Sequence, residues 1–196
     1  NVVPFKDEPE VVPQTEPEVK LWLGCNQNPR PGWVNVDLEP FPGVDVVTDL
    51  EKTWPWADNH ADIIGCADLP EHLRMWWEEP DWSRYHQTLD SLVVAMKNPV
   101  RKYGIIHFMN EAWRVLKPGG RLDVLIPSTD GRGWSQDPTH VSHWNENSFL
   151  YYCDPLYMKL YPHLIKCKYR PLKVATGIRN QLEVNPLVKI HRRERG

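Results

Sequence analysis

Short apolar runs that each close on a small or acidic residue dominate the first third of the chain. Leu21, Trp22 and Leu23 run into Gly24, Cys25 and Asn26. Trp33, Val34 and Val36 close on Asp37. Val44 to Leu50 follows, with Asp49 and Leu50 just past the strand end. After a Trp54–Asp58 turn, Ala61 to Cys66 is a fourth run. Runs this short, rich in β-branched and aromatic residues, predict strands. Parallel neighbours need crossovers of about a dozen residues or more. The links Asn26–Gly32 and Glu39–Gly43 are shorter. Helices covering that half of the sheet are therefore expected to be replaced by loop. That edge is expected to be thinly covered, by an N-terminal arm or by a second copy in a homodimer.

From Asp68 the period lengthens. Asp68 is placed to cap a helix containing Leu69, His72, Leu73 and Trp76. Pro80 opens another, with Trp82, Tyr85, Leu89, Leu92, Val93 and Met96 on one helical face. Ile105, Ile106, Met109, Trp113 and Leu116 mark a third, stopped by Lys117-Pro118-Gly119-Gly120. Leu122–Ile126 reads as a buried strand. Residues 128–148 are polar and turn-rich, at the strand end where α/β proteins bind ligands. A short helix over Phe149–Cys153 and strands near 164–174 and 182–190, paired antiparallel around Gly177, complete the pattern. Residues 1–19, with Pro4, Pro9, Pro13 and Pro17 among five acids, predict an extended arm. Residues 20–196 are expected to form one domain.

Composition narrows the class. The 196 residues are 41% hydrophobic and 25% charged, with net charge -3, so a large non-specific nucleic-acid footprint is not expected. The longest apolar run, Leu92–Met96, falls far short of the roughly 18 residues of a membrane span. The opening Asn1-Val2-Val3-Pro4 has no signal-peptide pattern, and its lack of Met fits a processed or truncated start. Cys25, Cys66, Cys153 and Cys167 form no CxxC pair, which points to reduced thiols and a cytoplasmic location. Ten tryptophans suit core and lid packing, or an apolar or sugar-binding pocket.

The ordered set LWLGCN, the Asp37 strand end, Asp49-Leu50, the ADII strand, Glu71-His72-Leu73 and Glu111…Arg114-Val-Leu-Lys-Pro-Gly-Gly-Arg-Leu122 resembles class I S-adenosylmethionine-dependent methyltransferases. It is most similar to the small type 11 group, well over residues 20–127 and loosely beyond. The resemblance implies an α/β, Rossmann-like, seven-stranded, mostly parallel sheet of order 3-2-1-4-5-7-6. Helices lie on its faces, here with an abbreviated first half. It implies S-adenosylmethionine as cofactor and S-adenosylhomocysteine as product. Leu23, Gly24, Cys25 and Asn26 would pass under the methionine part. Asp37 and Leu38 would meet the ribose side, and Asp49 and Leu50 the adenine. Cys66, Ala67 and Asp68 would border the sulfonium, and Cys25 and Cys66 would both lie at the crevice. The family glycine loop usually reads Gly-Cys-Gly; here Asn26 takes the third place, and asparagine tolerates positive φ.

Methyl transfer is an in-line displacement that needs alignment and exclusion of water. It needs a base only where the acceptor holds a proton. Within 128–148, His140 is the candidate base or orienting group and Asp137 its orienter, against a reading in which both only shape the loop. Trp134, Thr139, His143 and Trp144 are candidate substrate contacts. His140, His143 and Asp137 lack a fourth ligand, so no metal is expected. His72 is read as structural, as are Glu111 and Arg114, a local helix pair. The acceptor is expected to be a small molecule or glycan-type group, methylated on O or N. A fold that has lost catalysis and serves as a binding module is a second reading. A nucleic-acid or protein methyltransferase, suggested only by Arg192, Arg193 and Arg195, is a third. A nicotinamide-binding protein is disfavoured, because Gly24 to Pro29 lacks the second and third glycines of that fingerprint.

Overall fold

The computed structural model describes residues 17–97, 100–176 and 181–189. Most of the expected arm, Gly177 and the arginine tip lie outside the described residues. The strands are β1 (Lys20–Leu23), β2 (Val34–Asp37), β3 (Val46–Val47), β4 (Ala61–Ala67), β5 (Trp77–Glu79), β6 (Val100–Lys102), β7 (Leu116–Pro127), β8 (Tyr169–Thr176) and β9 (Gln181–Lys189). The helices are α1 (Leu89–Lys97), α2 (Gly104–Val115), α3 (Gly133–Gln136), α4 (Leu150–Cys153) and α5 (Pro155–Met158).

Seven strands form one sheet in the order β3-β2-β1-β4-β7-β9-β8. Counting sheet strands along the chain, this is the expected 3-2-1-4-5-7-6. β3, β2, β1, β4 and β7 pair in parallel. β9 is antiparallel to β7 and β8. β5 and β6 make a separate antiparallel pair. Among the described residues, no helix is long and apolar enough to cross a membrane.

Strand alternation sorts the two faces. Leu21, Leu23, Val36, Ile64, Cys66, Leu122 and Val124 point to the core face, where α2 lays down Phe108, Met109, Ala112 and Val115. The registers Leu21↔Ile64 and Ile64↔Leu122 keep these rows aligned. On the opposite face the row is Asn35, Trp22, Gly65 and Asp123. No helix separates β1 from β2 or β2 from β3, as the short links require.

Several local expectations need correction. Asp68 adopts φ 48 and does not start an α-helix; the chain makes only a 3-10 turn over Pro70–His72. The left-handed backbone at Asp68 turns the chain sharply, and Trp76 is left exposed. The long helix from Pro80 is also absent. Asp81 caps a 3-10 turn at Trp82–Arg84, and Gln87 takes φ 62. Thr88 and Ser91 then cap each other where α1 begins. Trp82, Tyr85, Leu89, Val93 and Met96 are exposed, and Ala95 is the buried residue of α1. The strand expected from Val44, with Asp49 and Leu50 just past its end, shrinks to Val46–Val47, because Asp45 Oδ2 accepts from the Asn35 N–H and Asp49 Oδ1 from that of Glu51. The Lys-Pro-Gly-Gly turn does end α2. It bulges between Leu116, paired with Ala61, and Arg121, paired with Ile63, with Gly119 at φ 81.

Candidate functional site

The parallel strands end along one crevice. Gly24 has φ +66, and a Cβ there would come within 3.0 Å of Leu69 Cδ1, so this strand end admits glycine alone without displacing Leu69. Asn26 has φ 47, and the turn survives the missing glycine. The Asn26 N–H donates to Asp37 Oδ2 at 2.7 Å, and the Glu39 N–H donates to Oδ1 at 3.1 Å. Two main-chain donors thus fix the Asp37 carboxylate at the end of β2.

Gly24, Asp37, Leu38, Asp49 and Leu50 line one cavity of about 260 Å³. Leu69, Leu73 and the Arg74–Glu51 ion pair also line it. Leu50 is held from behind, since Trp54 Nε1 donates to its carbonyl at 3.0 Å. Trp54 is anchored in turn by α2. Its N–H donates to Glu111 Oε2 at 2.8 Å, and Arg114 grips the same carboxylate through Nε and Nη2, both at 2.7 Å. Arg114 also donates to the carbonyls of Trp54 and Trp56 and to Asp58. The expected structural pair is a clamp on the turn before β4.

The remaining residues expected at the cofactor do not face that cavity. Leu23, Cys25 and Cys66 are buried at the ends of β1 and β4, side by side as the Leu23↔Cys66 register requires. Their side chains belong to the core, and burial pushes both thiols above their usual range. Asn26 is exposed and Ala67 half-buried. All four cysteines are free.

A second, wider cavity of about 570 Å³ is lined by Asp68, His72, Gly133, Gln136, Asp137 and His140, with Pro127 and Pro138. His72 lines both cavities. The Asp137 carboxylate does not orient the His140 ring; only the Asp137 main-chain carbonyl accepts from the His140 N–H, at 3.3 Å. Asp137 Oδ1 accepts from the Thr139 hydroxyl at 2.7 Å and from the Thr139 N–H at 2.8 Å. Thr139 Oγ1 lies 3.0 Å from His72 Nδ1. His140 Nδ1 lies 3.0 Å from the Trp134 carbonyl oxygen, and the His140 and His72 rings meet edge-on at 4.8 Å. Beneath them lies Glu71, whose side chain is 2% exposed, with Oε1 3.9 Å from His140 Nε2. Burial pushes its carboxyl up to about 8.

His143 and Trp144 face elsewhere, into an apolar cavity of about 320 Å³ with Tyr151, Tyr152, Tyr161 and Ile105. Trp134 packs edge-on against His143 at 4.7 Å. Of the expected substrate residues, His143 and Trp144 thus line this third cavity, while Thr139 and Trp134 meet the His72 and His140 rings through hydrogen bonds. Glu71 and His72 are the site residues that sequence reasoning missed. Their signal was present, an acid and an imidazole just past a buried strand end, but it was absorbed into the helix expected from Asp68.

No family model matches the chain, and no curated protein matches it in sequence. Solved structures match it in fold. The carbon methyltransferase CurJ superposes with TM-score 0.50 at 9% identity, covering 92% of this chain and 50% of CurJ. A SAM-dependent methyltransferase from Archaeoglobus fulgidus gives 0.49 at 13% identity, covering 82% and 65% respectively. The CMeT domain of the citrinin polyketide synthase gives 0.49 at 12% identity, covering 90% and 47%. The chain spans about half to two thirds of the length of these structures. Together with the strand order, the CurJ likeness defines the architecture as the Rossmann-like methyltransferase fold.

Proposed function

We propose that the chain transfers a methyl group from S-adenosylmethionine to an O or N acceptor on a small molecule or sugar-like group. One observation carries this reading. A cavity lined by Gly24 and two strand-end acids adjoins a second cavity lined by imidazole and carboxylate, and His72 lines both. The first suits a nucleoside: Asp37 would accept from a ribose diol and Asp49 from the adenine amine, and Leu38 and Leu50 would offer apolar contact. The Gly24 strand end, where a side chain would meet Leu69, would pass under the rest. The cofactor supplies an electrophilic methyl on a positively charged sulfur. The carbon–sulfur bond breaks as the carbon–acceptor bond forms, and the acceptor's proton must leave. His140 orients the acceptor and takes that proton at Nε2, because Nδ1–H is committed to the Trp134 carbonyl. A cytoplasmic location and a homodimer through the exposed Val47 edge belong to the same proposal. A monomer by light scattering at high concentration would retire the dimer.

A second reading, a binding module without catalysis, draws on the engagement of both Asp37 oxygens by backbone donors. Calorimetry with S-adenosylmethionine and S-adenosylhomocysteine separates the two. Binding of both supports the enzyme; no heat at millimolar ligand removes it. Turnover of a panel of hydroxyl and amine acceptors then identifies the substrate class.

A further inference from the structure

We propose that Glu71, His72 and His140 form a three-ligand site for a divalent first-row transition cation such as Zn2+, open towards the larger cavity. One ligand atom from each of the three lies within 4.8 Å of the others. The site brings together residues nearly seventy positions apart. It departs from the sequence expectation of no metal, which had weighed His143 and Asp137; the structure sends those two to other partners.

The first argument is the state of Glu71. It is buried, and neither carboxylate oxygen has a hydrogen-bond partner. A buried carboxyl with neither oxygen in a hydrogen bond is costly and asks for a partner. Asp68 and Asp137 stand close enough to add negative charge, so the surroundings favour a cation.

The second argument is the tautomer of each imidazole. The Trp134 carbonyl can only accept, so His140 Nδ1 carries the proton that reaches it and Nε2 keeps a lone pair. The Thr139 hydroxyl spends its single proton on Asp137 Oδ1, so its oxygen accepts from His72 Nδ1–H, and His72 Nε2 keeps a lone pair too. These are the outer-shell bonds that orient metal-binding histidines, one to a backbone carbonyl and one relayed to a carboxylate. Two neutral imidazoles and one carboxylate suit Zn2+ and its first-row neighbours, whereas Mg2+ and Ca2+ prefer oxygen alone. Closing the 3.9 Å gap between Glu71 Oε1 and His140 Nε2 onto a shared ion takes only a small side-chain movement.

The role of such an ion rests on reading the larger cavity as the acceptor site; its existence does not. With the cation bound, His140 Nε2 is a ligand and gives up the proton-accepting part proposed for it above, the acceptor's proton passing to water instead. The acceptor oxygen then occupies an open coordination position, where the ion lowers the pKa of its hydroxyl.

The test uses the full chain, stripped with chelator and titrated with Zn2+ by calorimetry. Elemental analysis counts the bound metal, and Co2+ substitution is followed by visible absorption. The expected result is one Zn2+ per chain and an intense low-coordinate Co2+ spectrum. Glu71→Gln and His140→Ala should each abolish both signals. Thr139→Val should weaken binding by about tenfold through the freed His72 ring, and the exposed His163→Ala should change nothing. The site is overturned if the wild-type chain binds no Zn2+ at tens of micromolar, or binds it equally after both ligand substitutions. Should Glu71→Gln fail to fold, a wild-type Co2+ spectrum without intense bands, or one unchanged in His140→Ala, overturns it equally. No S-adenosylmethionine is present in these measurements. Their failure therefore leaves the methyl-transfer reading standing, and failure of cofactor binding leaves the cation site standing.

Discussion

Replacing Arg114 with alanine should unlock the turn before β4 and loosen the cavity that Leu50 lines behind it. The guanidinium makes two bonds to Glu111 and reaches the carbonyls of Trp54 and Trp56 and the Asp58 carboxylate. Glu111 is 9% exposed and would keep only the Trp54 N–H. Removing one partner of a buried pair costs about 3–5 kcal/mol. The Arg114 side chain is 26% exposed, which places the expected loss near the lower end, about 3 kcal/mol. For a chain of this size that lowers Tm by roughly 6–12 °C. The pH dependence gives a sharper readout. Burial raises the Glu111 carboxyl, but bonds from Arg114 and the Trp54 N–H outweigh it, so its folded value lies below the ordinary one. Its contribution is therefore full above the unfolded value, ~4.3, and is lost as pH falls through the folded value. In Arg114→Ala, burial dominates and the sign reverses: the carboxyl costs stability as pH rises past ~4.3. Urea unfolding of both proteins should show a gap that widens as pH rises through ~4.3 and levels off only above the raised carboxyl of the variant. A loss under about 1 kcal/mol with no pH-dependent gap would place the pair among ordinary surface ion pairs and refute the clamp.

Asp37→Ala should weaken S-adenosylmethionine binding by about 1–3 kcal/mol in calorimetry; an unchanged Kd retires its ribose role. His140→Ala should keep that affinity and lose turnover, and a variant with unaltered kcat makes His140 scaffold only. Gly65→Ala would place a Cβ 3.0 Å from Trp22 Cε3 and 3.3 Å from Trp33 Cζ3. That overpacking should cost about 1–3 kcal/mol in urea unfolding; a neutral result would mean the indoles slide aside freely.

The sheet order was legible through the resemblance, which the strand-end residues carried, and Gly24, Asp37, Asp49 and Leu50 line one cavity. What failed was local. The apolar spacing from Trp82 to Met96 fits a helical face, yet two capping residues, Asp81 and Thr88, each start their own turn inside it. Periodicity counts apolar positions and does not register a competing cap. The larger cavity was half legible. His140 and Asp137 stood out in a polar loop, but His72 gains its meaning from Thr139, and Glu71 from an imidazole far along the chain. Contacts at such separation leave no periodic trace in one sequence.

The loop that replaces the first crossover helix also sets what the site can bind. Asn35 ties that loop down: its side chain accepts from the Arg30 N–H and donates to the Arg30 and Trp33 carbonyls. Arg30 then stacks its guanidinium 3.3 Å from the centre of the Trp22 ring, with Trp33 edge-on to the same indole. Trp22 lies over Gly65 of β4, so two tryptophans and an arginine cover the sheet face that the missing helix would otherwise cover. Some of the unusual tryptophan content therefore follows from the abbreviated topology. A full helix after Gly24 would present unpaired N–H groups at the crevice. Here the Asn26 N–H is already given to Asp37. On the proposed reading, a nucleoside at this strand end would be held by the outer lone pairs of Asp37 and by Asp49. That is why the Asp37 substitution tests the cofactor assignment more directly than any change in the glycine loop itself.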